Sequence, residues 1–266
     1  MNFENKFKLL YQILAYIKFL LRSTNQHGVH SPFVYDLLTK CLYVKNQNPA
    51  HQKIRSYIKE VLNDPQIIKV TDFGAGSRVF KSADRKVGAI AKSAGISEPR
   101  AILLNKLVSY FNFKSGLELG TSVGIASAAM AQNNPIKLTT LEGCPETAKI
   151  AQQYFDKFNL QNIELKIGEF DNSLKSILEN NSSLDLVYFD GNHQKKPTLK
   201  YFNLLLPLAH NNSVFIFDDI HWSKEMEEAW EEIKAHPDVR VTIDSFFWGI
   251  VFFRKEQEKE HFTIRL

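Results

Sequence analysis

The sequence predicts an α/β protein built on a mostly parallel sheet, and three observations predict it. From residue 97 onward, short apolar runs alternate with segments of helical periodicity: runs at 116–119, 136–142, 162–168, 184–190 and 212–218, with helical segments at 123–132, 145–158, 171–179 and 195–206 between them. Strict alternation of this kind builds parallel strands covered by helices on both faces. Second, the first run leads through Gly116-Leu117-Glu118-Leu119-Gly120-Thr121-Ser122-Val123-Gly124 into a helix of small residues. A strand, a glycine turn and a helix start present backbone N–H groups to a nucleotide-like ligand. Third, the next run ends in Glu142, 142 − 124 = 18 residues past Gly124. An acid there, near the ~20-residue spacing of such units, can accept from both ribose hydroxyls.

The elements before residue 97 are less regular. Residues 5–22 read as an amphipathic helix with Lys6, Lys8, Lys18 and Arg22 on its polar side. Its apolar part, 9–21, is short and broken by Gln12 and Lys18, so it does not reach the ~20 apolar residues of a membrane span. Glu4 ahead of it, with no small-residue cleavage site behind it, argues against a secretory leader. Such a helix packs on its own domain or on a second copy, or rests on a membrane surface. The loop His27-Gly28-Val29-His30-Ser31-Pro32 follows, with no third metal-type ligand close in sequence, so a structural or substrate-side role is expected for it rather than a metal site. Helices are expected at 33–41 and 51–63.

Ile67-Ile68-Lys69-Val70-Thr71-Asp72-Phe73-Gly74-Ala75-Gly76 is a second strand-then-glycine turn. Polar and basic residues 77–86 follow it, and no acid-ended strand comes after at the right distance. The cofactor loop is therefore expected at Gly120–Gly124, with Gly74–Gly76 in a mobile flap. Helices follow at 87–94 and 99–111. At the other end, a helix at 223–235 precedes two apolar runs, 239–244 and 246–254, too close in sequence for a crossover, so they pair antiparallel. The charged tail 255–266 is expected to add little. Two domains result: a mainly helical extension or lid at 1–95, and a cofactor-binding domain at 96–266.

With 266 residues and 44% hydrophobic content the chain buries a sizeable core. The net charge of +4 comes without a Lys/Arg stripe interleaved with aromatics, which disfavours nucleic acid as a partner. Cys41 and Cys144, the two cysteines, are not metal-spaced and point to a reducing cytoplasm.

The βα units closed by an antiparallel strand resemble class I S-adenosylmethionine-dependent methyltransferases, which share a Rossmann-like seven-stranded sheet. Leu117-Glu118-Leu119-Gly120-Thr121, Leu141-Glu142-Gly143, Gly168-Glu169, Tyr188-Phe189-Asp190-Gly191-Asn192-His193 and Phe215-Ile216-Phe217-Asp218-Asp219 are most similar to the bacterial small-molecule O-methyltransferases of the catechol O-methyltransferase type. The similarity covers about residues 97–254. The resemblance implies that Glu118, Gly120, Thr121, Ser122 and Gly124 hold the methionine end of S-adenosylmethionine. It also implies that Glu142 and Gly143 hold the ribose, that Gly168, Glu169 and Phe170 edge the adenine, and that Asp190 faces the reacting methyl. The catechol enzymes hold a metal with an adjacent Asp and Asn among its three ligands; here the matching positions are Asp190, Asp218 and Asp219. Three carboxylates suit Mg²⁺, or Asp219 caps the next helix instead.

The implied reaction is in-line methyl transfer to a small hydroxylated molecule. A metal would acidify the acceptor hydroxyl; without one, a histidine would take its proton. His193 and His221, both after strand ends, are the candidate bases, and each could equally be a loop histidine with a structural bond. Trp222 and Trp248 could line an aromatic pocket, with core packing favoured for Trp248. Two other function classes fit parts of the pattern. An NAD-dependent oxidoreductase would share the glycine turn and acid, but only two glycines are closely spaced here and no Tyr-x-x-x-Lys pair follows. A non-catalytic binding module would not need Asp190, His193, Asp218 and Asp219. A homodimer through the N-terminal helices is expected.

Overall fold

The computed structural model describes residues 3–45, 48–71 and 82–266, without the side chains of 3–8. The Gly74–Gly76 turn and most of the expected flap lie outside the described residues. Eight strands form one sheet, in the order β10-β8-β9-β7-β6-β3-β4-β5, and a separate two-stranded hairpin joins β1 (Ile67–Lys69) to β2 (Asp84–Lys86). The chain divides into two compact units, 44–187 and 1–43 with 188–266, so the first 95 residues are shared between the two.

In the unit 44–187, α3 (Pro49–Leu62) starts as its sequence directs: Asn48 accepts from the Ala50 N–H at 2.9 Å, and Pro49 opens the helix. The hairpin, α4 (Val87–Ala94) and α5 (Glu98–Phe111) follow. Strands β3 (Ser115–Leu119), β4 (Lys137–Glu142) and β5 (Ile163–Ile167) pair in parallel, with Leu117 opposite Thr139 and Thr140 opposite Leu165. Helix α6 (Ile125–Ala131) is buried at every residue, and its four alanines and Ser127 let it lie close to its neighbours. Its last carbonyls lack helical partners; buried Asn105 of α5 supplies them, donating to Ala129 O at 2.8 Å and Gln132 O at 2.9 Å. Helices α7 (Pro145–Lys157) and α8 (Phe170–Asn180) complete this part, and β6 (Leu184–Phe189) crosses the boundary between the units.

The other unit holds α1 (Phe3–Arg22), α2 (Pro32–Leu37, continued by a wider turn at Leu38–Leu42), α9 (Lys195–Leu205), β7 (Ala209–Asp218) and α10 (Lys224–Ala235). Strand β9 (Trp248–Phe252) runs antiparallel to both β7 and β8 (Val241–Asp244), with Asp218 opposite Trp248 and Ile243 opposite Ile250. This is the close antiparallel pair expected from 239–254. Gly249 is required there, because a Cβ would come within 2.6 Å of the Trp230 ring.

The tail departs from expectation. Glu260–Thr263 forms β10, parallel to β8, and adds an eighth strand to the seven anticipated. The segment after α1 extends this edge: Thr24 N–H donates to Thr263 O at 2.9 Å, and Arg265 N–H to Thr24 O at 3.0 Å. An edge strand keeps one side in water, so it carries charge and lacks the apolar signature that marked the inner strands.

Candidate functional site

The loop after β3 is built from left-handed backbone. Gly120, Ser122 and Gly124 have φ of 104°, 49° and 78°. Gly120 N–H and Thr121 N–H both donate to Leu141 O, at 3.0 and 3.1 Å, and pin the loop to the end of β4. Glycine is obligatory at 124: a Cβ would stand 2.5 Å from the Phe155 ring and 2.6 Å from the Tyr57 hydroxyl, besides the positive φ. Tyr57, from α3, donates to Val123 O at 3.0 Å and holds the loop from the side.

Glu142, half-buried at the end of β4, accepts from Ser122 N–H at 2.7 Å through Oε2 and from Cys144 N–H at 2.9 Å through Oε1. The two bonds fix the plane of a carboxylate that can accept about four in all. Gly143 lies between them, half-buried. Gly168 (φ 148°) donates its N–H to Glu142 O at 2.9 Å, which brings the start of α8 beside Glu142. Glu169 is the exposed residue before that helix and Phe170 its half-buried first residue. Strand ends, glycine turn and acid are therefore assembled as the sequence led one to expect.

Glu118 has a different setting. It is 0% exposed. Its Oε2 accepts from the Ser127 hydroxyl and, at 2.5 Å, from Thr140 Oγ1. Thr121 Oγ1 lies 2.5 Å from Thr140 Oγ1, and with the Thr140 proton committed to Glu118, Thr121 is the donor. Burial raises the Glu118 pKa to about 8 against these two hydroxyl bonds, and the Glu142 charge adds to the rise. Its Oε1 is buried without a hydrogen-bond partner. Ser127, Thr140 and Tyr57 were not singled out by sequence reasoning. The signal for Ser127 was a lone hydroxyl in an alanine run; Thr140 and Tyr57 carried none.

In the other unit, His193 Nε2 lies 3.6 Å from Asp190 Oδ1, an ion-pair distance, with both side chains mostly shielded. Asn192 between them is left-handed (φ 65°). Asp218 ends β7, buried. Asp219 is left-handed (φ 54°), and its N–H donates to Phe247 O at 2.8 Å. It does not cap the next helix: Ser223 does, accepting from Met226 N–H at 3.3 Å. Among the described residues no three His, Cys, Asp or Glu side chains are placed to hold a metal ion. The ligand set Asp190, Asp218 and Asp219 is thus not brought together. Asp218 is the last residue of its strand, whereas Asp219 is already in left-handed backbone beyond it. Trp248 is core, as favoured, and Trp222 is half-buried.

His221 is held between two acids, with Nδ1 2.7 Å from Glu227 Oε1, Nε2 2.9 Å from Asp244 Oδ2, and the ring stacked on Phe246. Burial alone would lower its pKa; the bonds to Asp244 and then Glu227 outweigh that and raise it to about 9. Both nitrogens of a charged imidazolium donate, so this histidine does not offer the lone pair a base needs. Because the folded pKa lies above the unfolded 6.5, its stabilisation is full below pH 6.5 and is lost as pH rises to 9. In urea titrations the wild type should exceed His221→Gln by up to about 3 kcal/mol at pH 6, and the gap should close by pH 9.5. A gap that does not change with pH would rule out the ion triad.

Residues 114–220 match a family described as "Methyltransferase domain". An uncharacterised protein of Acanthamoeba polyphaga mimivirus is 28% identical over 131 residues, 45% of this chain and 58% of that protein, so the match spans little more than half of that relative. Three solved structures share the fold. The O-methyltransferase of Bacillus cereus in complex with SAH has a TM-score of 0.55 at 18% identity, covering 79% of this chain and 93% of that one. The O-methyltransferase TomG of Streptomyces achromogenes, involved in tomaymycin synthesis and solved with SAM, has a TM-score of 0.55 at 16% identity over 86% and 99%. The SAH-bound methyltransferase PaMTH1 of Podospora anserina has a TM-score of 0.58 at 13% identity over 85% and 97%. The β3 loop, the Glu142 strand end, α8 and β7 all fall within the matched segment, and the chain therefore carries a methyltransferase domain at residues 114–220, on the fold of the O-methyltransferases.

Proposed function

We propose that the chain is an S-adenosylmethionine-dependent O-methyltransferase acting on a small hydroxylated molecule. The observation that carries this is Glu142, oriented by two backbone N–H groups at the strand end beside a left-handed glycine loop, inside the matched domain. The three relatives with known structures are solved with SAM or SAH, which supports the same cofactor here. When bound, the cofactor supplies a methyl group activated on a sulfonium. Glu142 accepts from the ribose hydroxyls, and the backbone of Gly120 to Gly124 carries the methionine end. Gly143, Gly168, Glu169 and Phe170 border the base. Glu118, sealed beneath the loop, acts by positioning it through Thr140 and Thr121.

For the acceptor, His193 takes the hydroxyl proton, and Asp190, 3.6 Å from its Nε2, orients the ring. Among the described residues no three His, Cys, Asp or Glu side chains are grouped to hold Mg²⁺, which favours His193 as the base. Two buried free cysteines fit a cytoplasmic location; no helix among the described residues is long and apolar enough to cross a membrane. A homodimer through the N-terminal helices has one support, the exposed apolar face of α1, and the charge of that helix weighs against it.

Calorimetric titration should show binding of S-adenosylmethionine and S-adenosylhomocysteine and none of NAD. With a panel of small hydroxylated acceptors, turnover should persist in EDTA. His193→Ala should lower kcat about 100-fold or more and leave cofactor affinity unchanged. Binding of NAD instead would overturn the reading. Loss of turnover in EDTA that Mg²⁺ restores would return the acceptor chemistry to the carboxylates.

A further inference from the structure

Helix α1 presents two different faces. Ala15 and Phe19 are buried, and Phe19 and Tyr16 pack on Phe246 at ring distances of 5.5 and 4.8 Å. Gln12 donates to Trp222 O at 3.4 Å on the same side. This face anchors the helix to its own unit.

The other face is apolar and lies open. Leu10, Ile13, Leu14, Ile17, Leu20 and Leu21 are 40–83% exposed. At 3.6 residues per turn they share an arc of about 120°. Leu9, also exposed, widens it. Seven large aliphatic residues exposed by 40–83% thus form one continuous face of the kind that marks a protein partner or a membrane.

Two observations choose between these. The first is polarity. A protein interface carries about one hydrogen bond per 100–200 Å², whereas the described side chains of this arc are all aliphatic. Lipid asks for none. The second is charge. Helix α1 holds Lys6, Lys8, Lys18 and Arg22 against Glu4, a net +3, and Lys18 and Arg22 are exposed beside the arc. A second copy meeting this face would oppose +3 with +3. The acids of α10 that act on α1, Glu227 and Glu228, reach it at Tyr11 and Lys18, on the flank between the arc and the buried face.

We propose that α1 docks the protein on an anionic lipid surface, its apolar arc entering the headgroup boundary and its basic residues meeting lipid phosphates. The geometry is that of an interfacial helix lying in the membrane plane, with Lys and Arg stems reaching up to the charged layer.

The full chain should co-sediment with phosphatidylglycerol vesicles at low salt. Its affinity for phosphatidylcholine vesicles should be on the order of a hundredfold weaker, given three net positive charges near the surface. Leu14→Glu with Leu21→Glu should leave the protein in the supernatant with an unchanged circular dichroism spectrum and thermal transition. Arg22→Glu, a purely electrostatic change, should weaken binding about tenfold or more. Failure of the wild type to sediment with phosphatidylglycerol, or equal binding to both lipids, would overturn the proposal. So would a dimer mass in sedimentation velocity that the double variant splits, since a second copy would then cover the face.

Discussion

Glu118→Ala should cost the fold about 3–5 kcal/mol. The carboxylate is the acceptor for two buried hydroxyls, Ser127 and Thr140, and Thr121 leans on the second of them. Each hydroxyl left without an acceptor costs about 1–3 kcal/mol, and the lost side chain leaves a cavity in a fully buried site. The damage should reach the cofactor loop, because Thr121 belongs to it. Glu118→Gln keeps the shape and one acceptor oxygen and should recover most of the stability. The comparison also has a pH signature. With a folded pKa of about 8 against an unfolded 4.5, the wild type's advantage is full below pH 4.5 and falls as pH rises to 8, where the buried acid must ionise. Denaturant titrations of wild type and Glu118→Gln from pH 5 to 8.5 should converge or cross in that window. Parallel curves would mean that Glu118 is already ionised and partnered.

Glu142→Ala should weaken S-adenosylmethionine binding by two orders of magnitude or more. Hydrogen bonds to a charged group are worth about 1.5–3 kcal/mol each, and two would be lost with the ribose hydroxyls. The loop suffers as well, since Ser122 and Cys144 lose the acceptor for their N–H groups. Glu142→Gln should lie between wild type and alanine, because one oxygen remains. Unchanged cofactor affinity by calorimetry in Glu142→Ala would reject the assignment, whatever the variant's turnover.

Much of this protein was legible in its sequence because local rules decide it. Inner parallel strands are buried on both faces and so read as apolar runs; β3, with Gly116 to Leu119 all buried, is the clearest. Glycine at 124 and the acid at 142 follow from backbone geometry and from what a strand end can reach, and both stand where the pattern required. The antiparallel return through β9 followed from a connection too short for a crossover.

Tertiary structure decided the rest, because those features depend on what lies across the fold and not on neighbours in the chain. Glu118 reads as a strand-end acid near a ligand, yet it is fully buried, with Ser127 and Thr140 from a helix and a neighbouring strand bonded to it, and burial raises its pKa against those two bonds. His221 reads as a possible base until Asp244, 23 residues on, and Glu227 take both its nitrogens. Asp190, Asp218 and Asp219 read as a ligand set, but among the described residues no three such side chains are grouped to hold a metal ion. The charged tail, expected from sequence to add little, becomes β10 by pairing with the edge of β8. Sequence period reports burial along one element; partners across elements are set by packing, and packing is where acids and histidines acquire their charge and their role.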